Sequence, residues 1–166
     1  YTGYRIALTA NYPPMSVPLK LDITTGDKIM PKEIEYKFKL LLEERSITIL
    51  AYNLETVLAE KLETILSRGD QNTRSRDYYD IYILAKLQYK NIRPETLKAA
   101  LLATTEKRGS AFVTGHYKEI METVKASGVM QKQWLDYQKD FEYAADIAFL
   151  DTCNTVMLLM DGLTGR

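Results

Sequence analysis

Charged side chains, four of them basic, are set into apolar helical segments between residues 59 and 82. Such charges are costly unless they pair, bind a ligand or take part in a reaction. Lys61 follows Leu54 by seven residues and Val57 by four, so it shares the apolar face of the first predicted helix. It therefore pairs with a carboxylate or a phosphate, or extends its end to water. Arg68 follows two turns later, and two aligned cations favour an anionic partner.

Two aspartates open the next predicted helix. Asp77 and Asp80 are three residues apart, so they are neighbours on one helix face. Asp77 falls in the first turn, where the helix dipole favours a carboxylate, and capping alone would account for it. Asp80 lies deeper. It either pairs with Lys61 or Arg74 or positions a cation beside a nucleotide.

A third aspartate stands in a strand pattern. Asp22 alternates with Leu21 and Ile23, whose side chains are expected to face the core while Asp22 points to the other sheet face. A strand carboxylate is a usual metal ligand in phosphoryl-transfer sites, but one carboxylate does not hold two magnesium ions. Asp22 is thus either a metal ligand or a solvent-facing residue. Asp27 follows Gly26 and is expected to serve the turn.

Composition narrows the class of protein. The 166 residues are 46% apolar and 27% charged, which is typical of one soluble globular domain. The 22 basic and 22 acidic residues balance, so only a local patch would attract nucleic acid. The single cysteine, Cys153, excludes an internal disulfide and is consistent with a reducing cytoplasm. The single histidine, His116, argues against a histidine-based metal site. No run approaches a membrane-spanning length of apolar residues, so no membrane span is predicted.

The hydrophobic period changes once along the chain. The first fifty residues alternate with a period of two and predict strands, and the runs 33–42 and 47–51 predict an antiparallel hairpin. Asn53 is a favoured N-cap, and the period is helical after it. The predicted helices run from 54 to 68 and over about 76–88, 94–109, 115–127, 129–139 and 142–161. Strands followed by helices indicate an α+β fold.

The order of these residues resembles the AbiEii/AbiGii-toxin family. The resemblance is close over about residues 4–90. It consists of a strand aspartate, then a helix lysine with an arginine seven positions later, then Arg-Asp-Tyr-Tyr-Asp. The segments that carry it are 21–27, 51–55, 59–63 and 72–80.

The resemblance implies a fold and an activity. Residues 1–52 would be the C-terminal part of a polymerase-beta-like nucleotidyltransferase sheet, and residues 53–166 a helical domain. The expected activity is that of a toxin from a bacterial abortive-infection or type IV toxin–antitoxin system. Such a toxin transfers a nucleotide from a nucleoside triphosphate to an acceptor, which for related toxins can be tRNA. The resemblance also implies Mg²⁺ as cofactor, a cytoplasmic location and an antitoxin as partner.

The resemblance also implies roles for individual residues. Asp22 corresponds to a catalytic, metal-binding carboxylate on the sheet. Lys61 and Arg68 correspond to the helix residues that bind the triphosphate, and Arg74 is expected to assist them in nucleotide binding. The late catalytic carboxylate corresponds to Asp80 or to Asp77, with Asp80 favoured.

One family feature is absent from the sequence. The opening motif, Gly-Ser followed by Asp-x-Asp, does not occur in the 166 residues. We therefore expect a piece of a longer protein that is inactive alone, because one carboxylate would hold magnesium poorly. One alternative is a non-catalytic nucleotide- or partner-binding module of nucleotidyltransferase ancestry. Another is a structural α+β domain in which Lys61 and Asp80 simply pair.

Overall fold

The computed structural model describes residues 3–165 as two β-hairpins followed by six helices, the α+β order that the sequence predicts. The strands are β1 (Gly3–Tyr12), β2 (Met15–Thr24), β3 (Ile34–Lys39) and β4 (Ser46–Ala51). The helices are α1 (Leu54–Arg68), α2 (Ser75–Gln88), α3 (Pro94–Arg108), α4 (Tyr117–Ala126), α5 (Gly128–Asp140) and α6 (Phe149–Thr164). Within these residues, every helix is too short or too polar to cross a membrane.

Each hairpin has one apolar and one polar face. In the first, β1 and β2 pair antiparallel with Leu8 opposite Leu19. In the second, β3 and β4 pair antiparallel with Tyr36 opposite Ile49, which confirms the predicted hairpin. Side chains alternate between the faces of a strand, so these pairs belong to the apolar faces.

The apolar face of the first hairpin is exposed, and the expectation that Leu21 and Ile23 face a core was wrong. Leu21 is 51% exposed and Ile23 38%. Across residues 3–165, each sheet has two strands, and the helices pack chiefly against one another. The alternating pattern predicted the strands correctly, but burial also needs a second layer, which the described residues do not provide.

The core lies between the helices, with α1 at its centre. Leu58, Leu62 and Ile65 on α1 are completely buried. Helix α3 packs along α1, while α2 lies against both α1 and α6. Tyr78 on α2 is also completely buried, and its ring centroid is 5.3 Å from that of Phe149 on α6. This core fixes α1, α2 and α3, the helices that carry the charged site.

Asn53 begins α1 as the sequence predicts and also ties the helix to the hairpins. Its Oδ1 accepts a hydrogen bond of 2.8 Å from the backbone N–H of Thr56. Its Nδ2 donates to the carbonyl oxygens of Met30 at 2.6 Å and Lys32 at 3.0 Å. One N-cap side chain therefore fixes both the helix start and the linker between β2 and β3.

The last helix begins later than predicted. The pattern indicated a helix over 142–161, but the chain forms a short 3₁₀ turn at Glu142–Ala144 and α6 begins at Phe149. Trp134 Nε1 donates to the carbonyl oxygen of Ile147 at 2.9 Å, and Gln138 Nε2 donates to that of Ala145 at 2.8 Å. These α5 side chains occupy carbonyls that a continuous helix would use, so local periodicity did not reveal the break.

Candidate functional site

Lys61 on α1 forms a charged cluster with Asp77 and Asp80 on α2. Its Nζ lies 3.1 Å from Asp77 Oδ1 and 2.6 Å from Asp80 Oδ2. The three side chains are 21%, 13% and 22% exposed, respectively. Arg76 adds a longer contact, with its Nε 3.8 Å from Asp80 Oδ2. The structure thus brings together three of the residues that the sequence singled out.

The cluster is well suited to holding helices together and poorly suited to binding a phosphate. Lys61 carries one positive charge and faces two carboxylates, so the three side chains together are negative. A phosphate would reach Lys61 Nζ only by competing with Asp77 and Asp80. Asp77 binds Lys61 rather than capping α2, whose N-cap residue, Arg74, makes no side-chain capping bond.

Arg68 and Arg74 line a second feature, which we call the basic groove. It has a volume of about 430 Å³. Its walls are formed by Glu63, Thr64, Ser67, Arg68, Arg74, Lys107 and Arg108. Arg68 ends α1 and Arg74 precedes α2, and the connection between them is short. Asn72 Oδ1 accepts a 2.9 Å hydrogen bond from the backbone N–H of Arg74, which fixes that connection.

Arg108 forms one side of the basic groove and is bound to acidic residues. Its guanidinium contacts the carboxylates of Glu60 and Glu63 and donates to Thr64 Oγ1 at 3.1 Å. Ser110 Oγ donates to Glu63 Oε1 at 2.7 Å. Because Glu63 is only 4% exposed in its side chain, this network joins α1 to the end of α3 as a buried ion pair.

Asp27 joins the turn after β2 to α3. Thr24 Oγ1 donates to Asp27 Oδ2 at 3.0 Å, and the hydroxyl of Tyr52 donates to the same oxygen at 2.8 Å. Lys107 Nζ lies 2.7 Å from Asp27 Oδ1. The hydrogen bond from Lys107 is the main cause that lowers the pKa of Asp27. The sequence predicts the turn role only, and no local signal indicated a lysine on α3.

Asp22 belongs to neither the cluster nor the basic groove. It lies on the polar face of the first hairpin and accepts hydrogen bonds from Arg5 Nε at 2.5 Å and Arg5 Nη2 at 2.9 Å. This hydrogen bonding lowers the pKa of the exposed Asp22 carboxyl. In residues 3–165, no group of three or more His, Cys, Asp or Glu side chains is arranged to hold a metal ion. The described residues therefore do not make a complete magnesium site around Asp22.

Comparison with known proteins decides the family. The family model described as nucleotidyl transferase AbiEii toxin, type IV TA system, matches residues 1–153. The chain belongs to the AbiEii family. This match includes both hairpins, the Lys61 cluster and the whole basic groove. Searches of curated proteins and of solved structures found no match.

Membership in the AbiEii family indicates the general class of protein to which the chain belongs. The family is that of nucleotidyltransferase toxins from type IV toxin–antitoxin systems. The resemblance recognised in the sequence is thereby confirmed. The roles of Asp22, Lys61, Arg68, Arg74, Asp77 and Asp80 are not tested by the match and stay predictions.

Proposed function

We propose that this AbiEii-family chain binds the phosphates of a nucleoside triphosphate in the basic groove, for transfer of a nucleotide to an acceptor. The observation that carries the proposal is the position of Arg68 and Arg74. In the part of the chain that the structure describes, neither side chain has an ion pair or side-chain hydrogen bond. Both line one groove in a protein of a nucleotidyltransferase family.

The charges around the groove support this assignment. Arg108 faces Glu60 and Glu63, and Lys107 faces Asp27, so acidic partners offset both cations. Attraction for an anion therefore comes mainly from Arg68 and Arg74. Arginine suits the role because its planar guanidinium forms paired hydrogen bonds with phosphate oxygens. Neutralisation and positioning of phosphates are the main work of a protein in phosphoryl-transfer chemistry.

In this proposal, the Lys61 cluster has a positioning role rather than a phosphate-binding one. Lys61 fixes Asp77 and Asp80 at the start of α2, directly after Arg74. The cluster thereby sets the direction in which α2 begins and holds Arg74 at the groove. The catalytic roles of Lys61, Asp77 and Asp80, and the binding of phosphate by Lys61, remain predictions from the family resemblance.

Mg²⁺ and the acceptor belong to the proposal as well. We infer an RNA acceptor such as tRNA, a cytoplasmic location and an antitoxin partner from the family resemblance. Mg²⁺ would neutralise phosphate charge during transfer. Asp22 is the one carboxylate of this chain that the resemblance assigns to it. Because Arg5 occupies that carboxylate and the described residues place no metal-binding cluster around it, we assign no reaction step to the metal.

Two observations favour the alternative of a non-catalytic nucleotide-binding module. Asp22 is bound to Arg5, and the described residues lack a metal-holding cluster. Detectable transfer of a labelled nucleotide would exclude this alternative. The chain would be incubated with RNA and each of the four α-³²P-labelled triphosphates, beside the Arg68→Gln/Arg74→Gln variant and the surface control Arg45→Gln.

The outcomes of the assay are distinct. Label transfer by the chain and by Arg45→Gln, but not by the groove variant, would establish the enzyme. With one candidate metal carboxylate, we expect this chain alone to bind triphosphates without transferring them. Detectable transfer that is equal in all three proteins would show that the basic groove takes no part and would contradict the proposal.

A further inference from the structure

A second cavity lies beside the basic groove, between the start of α2 and one face of α5. It has a volume of about 530 Å³, and we call it the α2–α5 cavity. Its lining comprises Thr73, Arg74, Ser75, Arg76, Asp77, Gln133, Asp136, Tyr137 and Asp140. Arg74 lines both this cavity and the basic groove. A ligand could therefore extend from one to the other past a single guanidinium.

The α2 side of the cavity is suited to an anion. Arg74 and Arg76 contribute two cations. The N-cap residue of this 14-residue helix makes no side-chain capping bond, and the first-turn residues Ser75, Arg76 and Asp77 line the cavity, so the positive end of the helix lies beside it. Asp77 is turned toward Lys61 and offsets part of this charge. Helix N-termini and arginines are both well suited to binding a phosphate group.

The α5 side of the cavity has the opposite character. Gln133, Asp136, Tyr137 and Asp140 recur at helical spacing and share one face of α5. Ionised carboxylates only accept hydrogen bonds, so a ligand on this side must bring N–H or O–H donors. Asp136 is already paired with Lys139 at 2.7 Å, whereas Asp140 has no ion pair among the described residues. Asp140 is thus the main hydrogen-bond acceptor for a ligand on this side of the cavity.

Tyr137 adds an aromatic surface between the two sides. Its ring is held among other rings, with centroids 4.6 Å from Phe141 and 5.5 Å from Trp134. Its hydroxyl lies 3.0 Å from that of Tyr143. A tyrosine fixed in this way can stack against a planar ring at low entropic cost, as base-binding aromatics do.

We propose that the α2–α5 cavity binds a nucleotide whose base carries an exocyclic amino group. The phosphate would face Arg74 and Arg76, the base would stack on Tyr137, and its amino group would donate to Asp140. Adenine, cytosine and guanine meet this requirement, whereas uracil lacks the amino group. The ligand is either the donor triphosphate or the terminal nucleotide of an acceptor strand. The proposal extends the proposed function, since it adds base selection to the phosphate groove.

Binding titrations by calorimetry test the proposal. The ligands would be ATP, CTP, GTP, UTP and inorganic tripolyphosphate, with two RNA hexamers that differ only in a 3′-terminal A or U. We expect the amino-bearing ligands to bind about tenfold more tightly than their uracil counterparts, the effect of one well-placed hydrogen bond. The Asp136→Ala/Asp140→Ala variant should lose this preference and retain tripolyphosphate binding. Both residues are exposed, so the fold should persist, and Glu119→Ala on α4 is the matched control.

The ligand series that shows the base preference also tells whether the cavity binds the donor triphosphate or the acceptor strand. A preference among free triphosphates assigns the cavity to the donor, and one between the hexamers assigns it to the acceptor. Equal affinities in both series, or a preference that survives in the double variant, would overturn the proposal. Failure of the basic groove would appear separately, as the absence of tripolyphosphate binding.

Nucleosides provide a test that does not depend on the groove. Trp134 is the chain's only tryptophan and adjoins Tyr137, so its indole N–H gives one local NMR signal. We expect adenosine and cytidine to shift this signal at concentrations at which uridine does not. Identical responses to all three nucleosides would contradict base selection even if no triphosphate binds.

Discussion

Lys61 Nζ and Asp80 Oδ2 lie 2.6 Å apart, which joins α1 to α2 through a largely buried ion pair. Asp77 shares the same ammonium group at 3.1 Å. One lysine therefore neutralises part of a two-carboxylate site at the point where α2 begins. The arrangement explains why charged residues tolerate positions beside the apolar core and why Arg68 and Arg74, rather than Lys61, are open to an anion.

Replacing Lys61 tests the cluster. Lys61→Met should lower the free energy of unfolding by about 3 kcal/mol, because two largely buried carboxylates would lose their cation. Urea denaturation would measure the change. The variant Lys61→Met/Asp77→Asn/Asp80→Asn removes all three charges and should recover most of the loss. If Lys61→Met unfolds at the wild-type urea concentration, the cluster does not stabilise the fold.

Arg108 provides a second stability test. Among the described residues, Arg108→Met leaves the buried Glu63 carboxylate with the Ser110 hydrogen bond alone, so we expect a loss of about 3 kcal/mol. Arg45→Met is the control, since its pair with Glu43 is exposed and should contribute less than about 1 kcal/mol. Equal effects of the two substitutions on thermal unfolding would argue against a special role for Arg108.

The Asp27 carboxyl makes stability depend on pH. Its folded-state pKa is lowered, chiefly by Lys107, so ionised Asp27 stabilises the folded chain above its unfolded-state value of about 3.9. This contribution should disappear as the pH falls through the lower folded-state pKa. The difference in unfolding free energy between the wild type and Asp27→Asn should therefore be constant from pH 7 to about 5 and shrink below about 4. A difference that does not change with pH would contradict this assignment.

Because the apolar face of the first hairpin is exposed, substitutions on it should lower the hydrophobicity of the surface with little effect on stability. Leu8 and Leu19 lie opposite each other and are 51% and 48% exposed. Leu8→Lys/Leu19→Glu should reduce binding of the dye ANS and change the unfolding free energy by less than about 1 kcal/mol. Leu58→Ala in the core is the contrast and should lose about 3 kcal/mol. A comparable loss in both variants would mean that the hairpin face is buried.

Local signals predicted much of the fold. Asn53 began α1 as expected because an N-cap acts within its own turn. The pairing of Lys61 with Asp80 was one of the alternatives that the sequence indicated, because helical spacing places each side chain on a definite face. The strands also followed from alternation. The exposure of Leu21 did not follow, because alternation specifies a face but not what covers it.

Contacts between distant residues account for what the sequence did not predict. Lys107 reaches Asp27 and Arg108 reaches Glu63 only because α3 packs along α1. The late start of α6 depends on Trp134, whose indole occupies the carbonyl of Ile147. None of these contacts leaves a periodic or capping signal, so they required the three-dimensional packing.

Titration of the chain with inorganic tripolyphosphate most directly tests the central claim that Arg68 and Arg74 form a phosphate site. Calorimetry would compare the wild type with Arg68→Gln, Arg74→Gln, their combination and Arg45→Gln. We predict about tenfold weaker binding for each single groove variant, no detectable binding for the double variant, and wild-type binding for Arg45→Gln. Equal affinity in all five proteins would contradict the claim.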